Sequence, residues 1–358
     1  MRSHIVAFMA AAALLLPGPA PAGTVTTREQ SQATVEARGI TGVSVENPRG
    51  LIQVRPSADG RIHVTALKLS TASESWRAQE WARDTRVETL TEGGRYVVRV
   101  RYPQRQAIRV ILWRFFKGDF DFPGVEVRLA LEVPPRLPVQ LQTASGNIES
   151  HDLSGLQRLT SVSGDVEVRD AGAPVDVSST SGDITGAGLG RARVRTVSGD
   201  IGLDGVRGPL EARSTSGTVE ASGVADSVVA STVSGDIRLD AAPRGLDASS
   251  TSGSILVEGE VGGSVRARST SGEVRFGLAR DVRRVDVSTV SGDIHVRLAS
   301  GLGCALKLTS SSGNLETALP LKIRTLTRHE VSGAVHGGGP PVVLHSGSGD
   351  IAVTGGGE

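Results

Sequence analysis

Residues 192–203 read Ala-Arg-Val-Arg-Thr-Val-Ser-Gly-Asp-Ile-Gly-Leu, and how they are read decides the fold. The glycine of this Ser-Gly unit recurs in register at 146, 164, 182, 199, 217, 235, 253, 272, 292, 313, 333 and 349. The step is 17 or 18 residues for six intervals and then loosens. A fixed period of this length marks a stacked repeat rather than a set of independent elements. Counted back from the glycine, apolar residues stand at minus seven and minus five, as in Ala192 and Val194 or Leu210 and Ala212. Ser or Thr stands at minus three, as in Thr196, Ser214 and Thr232. This period of two belongs to a strand with one buried face. Past the glycine the parity changes, and the apolar positions become plus two and plus four: Ile201 and Leu203, Ile237 and Leu239, Ile255 and Val257. A slip of one residue would send every side chain to the wrong face unless the chain bends there. Glycine is expected to supply the bend through a positive φ. Stretches such as Ala242-Pro243-Arg244-Gly245 hold turn formers and read as the return bend.

The alternation of Val162, Thr180, Val197, Thr215, Val233 and Thr251 would also suit a coil of two repeats. The residue at minus six decides between them, running Asp176, Arg193, Glu211, Val229, Asp247, Arg266, Asp286. Stacking successive repeats places opposite charges side by side, which contributes about 0.2–1 kcal/mol per pair, whereas stacking alternate repeats would oppose Asp176 to Glu211. The expected fold is therefore all-β: a single β-solenoid (β-helix) with coils of about 18 residues. About eleven coils at strand spacing would make a rod of about 50 Å. Each coil is expected to bury four apolar residues and two hydroxyls, the inward hydroxyls bonding to backbone or to each other. The open ends need covers. A small strand/helix N-terminal capping region is assigned to one end and the irregular residues from about 320 to the other.

Before the array, Val43 and Val45 precede Gly50, Asn47 takes the Ser/Thr place, and Ile52 and Val54 follow, so this is read as an outlying coil. Strands are expected at His63–Leu69, Arg95–Arg101 and Val125–Val133. Thr71 and Glu74 have capping-box spacing for a helix near 73–83, with Trp76 and Trp81 available to cover the end of the rod. Residues 1–22 read as a signal peptide, with Ile5–Leu16 apolar and Ala20-Pro21-Ala22 before the cleavage point. The organisation expected is a signal peptide at 1–22, a β-rich capping region at 23–135 and the solenoid at 136–358. Export by the signal places the product in the periplasm, at the cell surface or outside the cell.

Removing Arg2 with the signal leaves 38 basic residues against 38 acidic ones, from the 39 and 38 of the whole chain. That balance argues against nucleic acid as a partner. The one cysteine, Cys304, is read as a buried small residue. The Asp after several Ser-Gly pairs (Asp165, Asp183, Asp200, Asp236, Asp293) raises the possibility of a cation column, but Thr218, Ser254 and Glu273 interrupt it, and Asp beside Gly is ordinary turn chemistry. No metal and no cofactor is therefore assigned. Ser150, His151 and Asp152 are adjacent in sequence, which is not how a catalytic triad is built. His151 and His345 read as loop or turn residues. No hydrolase, zinc-protease or nucleotide-loop motif is present, and the reading is non-enzymatic.

Nine of the eleven aromatic residues lie between 76 and 122. The insertion at 103–123 supplies the strongest interaction candidate, an apolar and aromatic stretch set with cations: Arg109, Trp113, Arg114, Phe115, Phe116 and Lys117. Two roles fit it, a contact surface for an envelope protein, glycan or membrane, or an edge packed on the solenoid end.

The join Leu131-Glu132-Val133-Pro134-Pro135, followed by Val139-x-Leu141-x-Thr143-x-Ser145-Gly146-Asn147-Ile148, resembles the bacterial "putative adhesin" family of exported β-strand-repeat proteins. The Thr-Val-Ser-Gly-Asp-Ile units at 196–201, 232–237 and 289–294 look like its repeats. The resemblance runs from about residue 40 to the end and implies a fold more than a role, because the family is largely a domain of unknown function. It implies an adhesin-like or scaffolding module at the cell envelope. The alternatives are a polysaccharide-acting β-helix enzyme and an envelope-stress or ligand-sensing domain. If the aromatic segment is a contact surface, replacing Trp113 and Phe116 by Ser lowers binding to partner or liposome and leaves the melting temperature nearly unchanged. A large melting loss with binding intact would assign it to packing instead.

Overall fold

In the computed structural model, which describes residues 9–10, 25–103 and 124–356, glycines from Gly182 to Gly292 stack one upon another. The chain divides into two units, 1–164 and 165–358. Within the second unit every Ser-Gly coil from Gly182 to Gly292 adds one strand to each of two parallel sheets. In one sheet Val175, Ala192, Leu210, Val228, Leu246, Val265 and Val285 are successive register partners. In the other, Ile184, Ile201, Val219, Ile237, Ile255, Val274 and Ile294 are. These apolar partners are buried. One repeat is thus one coil of a β-solenoid, and the charge argument holds in detail: Asp176 stands beside Arg193, and the Arg193 guanidinium reaches Glu211 at 2.8 Å.

Positive φ, the property expected of the glycine, is found at Gly50 (107°), Gly164 (150°) and Gly182 (151°), but along the rest of the array the glycine is needed for a different reason. Gly199, Gly217, Gly235, Gly253, Gly272 and Gly292 do not lie in the left-handed region. A Cβ on any of them would instead collide with the carbonyl oxygen of the glycine one coil earlier. The hydroxyl at minus three is buried, and in part of the array it donates to that same carbonyl: Ser214 to Gly199, Thr232 to Gly217 and Ser250 to Gly235, each at 3.2 Å, whereas the hydroxyls of Ser179, Thr196 and Thr289 make no such bond. The Ser of the pair (Ser181, Ser198, Ser216) is exposed, so one hydroxyl per coil is inward rather than two. Positive φ occurs six residues after the glycine, at Asp170 (50°), Gly188 (63°), Gly205 (68°) and Gly223 (61°), where the chain turns back. The next residue points inward: Ala171, Leu189, Val206, Val224 and Ala242 form a further buried apolar column. The bend therefore belongs to the core as well.

In the first unit, Gly42–Arg49 and Ile52–Pro56 form the coil around Gly50. It is not outlying. Gly42–Arg49 pairs in parallel with Arg95–Arg101 on one side and Val139–Ser145 on the other. Ile52–Pro56 likewise lies between Val125–Val133 and Ile148–His151. Asn47 is buried and donates from Nδ2 to the Val127 carbonyl at 2.7 Å, the longer amide doing the work of the missing hydroxyl. The outer edges are covered by antiparallel strands. Arg61–Ala72 pairs with Val125–Val133, Val25–Glu36 pairs with Arg61–Ala72, and Arg86–Glu92 pairs with Arg95–Arg101. The helix runs Ser75–Asp84 and packs through Ala78 and Ala82. Its N-cap is Glu74 without a side-chain cap bond, and Thr71 belongs to the preceding strand, where its hydroxyl meets that of Thr26 at 3.1 Å. Trp76 is exposed under the Arg77 guanidinium and Trp81 is half-buried, so neither seals an end.

In the second unit, Leu321–Leu326 and Glu330–Val335 form a hairpin whose inner strand pairs antiparallel with Cys304–Ser310, the expected cover. Gly333 is in that hairpin and is no repeat glycine. Gly235→Ala should cost about 3 kcal/mol or more, because backbone rather than a flexible side chain must yield. Gly202→Ala, whose Cβ would meet nothing within 4 Å, should stay within about 0.5 kcal/mol. Denaturant midpoints of the two variants check the contrast.

Candidate functional site

The aspartates after the repeat glycines are occupied by the backbone. Asp165 accepts from the Asp183 N–H at 3.1 Å, Asp183 from Asp200 at 2.9 Å, Asp200 from Thr218 at 2.7 Å and Asp236 from Ser254 at 2.9 Å. Each carboxylate holds the amide just after the glycine of the next coil, which accounts for Asp where a bend alone would admit several residue types. Among the described residues no group of three or more His, Cys, Asp or Glu could hold a metal. The sequence neighbours Ser150, His151 and Asp152 are separated by strand alternation. Ser150 is buried and donates to Gln157 Oε1 at 2.7 Å, while Asp152 has a φ of 56° after the strand ends. His151 ends the strand Ile148–His151 and His345 lies within Pro341–Ser346, so both are strand residues rather than turn residues. Cys304 is fully buried and burial pushes its thiol up to about 11, which makes it an inert core residue.

Arg109, Trp113, Arg114, Phe115, Phe116 and Lys117 lie outside the described residues. Their flanks are fixed. The Tyr102 hydroxyl donates to the Arg49 carbonyl at 2.7 Å, and Gly124 accepts from the Thr71 N–H at 2.7 Å.

On the outward face of the coils a charged cluster was legible only in part. Strand period places minus six and minus four on the same face, and one coil of stacking brings neighbours together. Glu211 consequently meets three cations: Arg193 at 2.8 Å, and Arg195 and Arg213 each at 3.2 Å. Arg195 and Arg213 carry the same minus-four pattern and could have been found by reading that column beside the one at minus six. With Asp176 in register beside Arg193, two carboxylates stand among three guanidiniums, which leaves a local excess of one positive charge. Burial raises the Glu211 carboxyl, but hydrogen bonds from Arg193 and Arg195 outweigh it and hold the group below its ordinary 4.5.

Two grooves open on the outward faces of this unit. One, of about 470 Å³, lies over Gly277 among Leu256, Glu258, Arg275, His295 and Arg297. Arg275 and His295 both face Glu273, at 2.5 and 3.6 Å. The other, of about 370 Å³, lies among Val229, Arg244, Asp247, Arg266 and Asp286. Phe276, which follows Arg275 on its strand, points inward, so the first groove has a carboxylate but no aromatic platform from it.

A depressed carboxylate contributes stability above its unfolded pKa and loses it as pH falls through the folded value. Glu211→Gln should therefore lower stability at pH 7 by about 1 kcal/mol, and the difference from the parent should close as pH falls through the depressed range in which Glu211 takes up its proton. Urea unfolding across that range checks both halves.

The sequence matches the Toastrack DUF4097 family over residues 138–259 and again over 244–354. No curated protein sequence matches it. Among solved structures it is similar to a "putative cell adhesion protein" from Clostridium sporogenes ATCC 15579, at 8% identity and a TM-score of 0.22, covering 92% of this chain and 100% of that one. It is also similar to a "putative adhesin" from Bacteroides fragilis NCTC 9343, at 11% identity and a TM-score of 0.25, covering 91% and 97%. At those scores no conclusion rests on either likeness.

Proposed function

The chain belongs to the Toastrack DUF4097 family, and from that premise we propose that it is an exported, non-enzymatic β-solenoid acting as an adhesin-like or scaffolding module at the cell envelope. The observation that carries the reading is the outward surface of the coils. Charged side chains recur there at strand spacing, with Arg193, Arg195 and Arg213 gathered around one carboxylate. Arg195 and Arg213 are register partners on strands about 4.8 Å apart, with Arg193 two residues along, a cluster that suits an acidic partner presenting an anionic group to each of two adjacent coils. Carboxylate-bearing envelope glycans have that chemistry. The balanced total charge fits a local grip of this kind better than long-range capture of a polyanion. Export rests on the signal pattern of residues 1–22, and the segment 109–117 is a second contact for a protein or membrane surface.

The polysaccharide-cleaving alternative would want paired carboxylates beside an aromatic platform. The groove over Gly277 favours it less, because Phe276 is turned into the core.

Binding of the purified chain to isolated acidic envelope glycans tests the reading. The triple variant Arg193→Gln, Arg195→Gln, Arg213→Gln should bind about tenfold more weakly and with a smaller salt dependence. Unchanged binding would remove this cluster as the grip. Steady release of reducing ends by the parent chain would replace the reading with an enzymatic one.

A further inference from the structure

Arg284–Thr289 and Cys304–Ser310 come from consecutive coils in sequence, yet they are not neighbours. Pro341–Ser346 lies between them, parallel to both, with Val342 in register with Val285 on one side and Leu306 on the other. In the other sheet Ile351–Gly355 lies in the same way between Ile294–Leu298 and Leu315–Thr317. The chain thus leaves one coil-wide slot open after residue 298, builds the Gly313 coil beyond it, adds the hairpin 321–335, and returns to fill the slot last.

Both walls of the slot carry the complete repeat chemistry. Ser346 donates to the Gly292 carbonyl at 3.1 Å and Ser310 to the Gly349 carbonyl at 3.0 Å. The Asp350 N–H donates to Asp293 at 2.8 Å, and the Asn314 N–H to Asp350 at 2.7 Å. Gly349 sits against Gly292 and Gly313 against Gly349, as at the levels from Gly199 to Gly292. Nothing in this recognition depends on the filling segment coming from the same chain. The upstream tether is residues 336–340, in which His336, Gly337, Gly338 and Gly339 have φ values of 45°, 86°, 94° and 155°. This link has to pass around the start of Cys304–Ser310, since Val335 is in register with Cys304 on one side and Pro341 with Ala305 on the other. That crossing spans two strand spacings, about 9.6 Å.

We propose that the slot is an interaction site for a second copy of this chain, whose residues 341–355 complete it in an exchanged dimer. All strand pairing, hydroxyl and aspartate contacts are conserved on exchange, and only the glycine tether changes course. The tether gives the chain's own segment the advantage of a local concentration of about millimolar, so the closed monomer prevails in dilute solution. Removing Gly337–Gly339 leaves two residues for a path of about 10 Å plus the detour around Gly303, which fully stretched backbone barely covers. The shortened chain then fills its slot from a partner.

Lys307 and Val343 are in register across the slot on the outward face, and adjacent strands lie within disulfide range. Two differently tagged chains, one with Lys307→Cys and one with Val343→Cys, both lacking Gly337–Gly339, are unfolded together, refolded and oxidised. About half of the dimers should be covalent heterodimers joined at 307–343. A control chain carrying both cysteines and the full tether should close the same bond within one molecule. Refolded monomers, or dimers lacking the 307–343 bond, would overturn the proposal. Should the shortened chains not refold, the same pair with full tethers refolded at about millimolar concentration decides, the heterodimer supporting exchange and its absence overturning it.

Discussion

The contact between a repeat glycine and the glycine carbonyl of the coil before it, seen from Gly199 to Gly292, sets the terms for the rest of the array. Strands in a parallel stack stand about 4.8 Å apart, and at this corner the backbones approach until no Cβ fits between them. A carbonyl so enclosed is shut off from water, and an unpaired one would be costly. In the coils of Ser214, Thr232, Ser250 and Ser269 the inward hydroxyl at minus three answers that need from the next coil, and the aspartate at plus one, where present, secures the amide that follows the corner. The motif Ser/Thr-x-Ser-Gly-Asp is therefore a set of contacts between coils rather than within one. This explains why it keeps its register while the return bends vary in length.

Much of this architecture could be read from the residues. The parity change across glycine located both strands of every coil, the sequence Asp176, Arg193, Glu211 chose one repeat per coil, and three strands outside the array were placed correctly. The remainder was hidden for identifiable reasons. Left-handed backbone and close packing both select glycine, so composition alone could not assign the first to Gly205 and the second to Gly199. Leu189 and Val206 stand alone among turn formers, with no partner two residues away to betray a buried column. Stacking order was beyond reach because the coil template is the same for every slot. Nothing in Val342 to Val353 says which two coils it should separate.

The candidate site was legible to a lesser degree. The acid and base column at minus six was recognised, but Glu211 is also held by arginines at minus four, of which Arg195 is connected to it only by the stacked geometry. The aspartates that suggested a cation are instead consumed by backbone amides. An interaction surface of this type is distributed. It draws one or two side chains from each of several coils, so no short motif can announce it.

The enclosure of Gly42–Pro56 between strands that come later in the chain bears on how this protein comes into being. A polypeptide emerging N-terminus first delivers that segment long before either flank exists. Assembly of the first unit cannot follow emergence rung by rung. It has to wait until residue 151 has appeared, with the early strands held open and unshielded in the meantime.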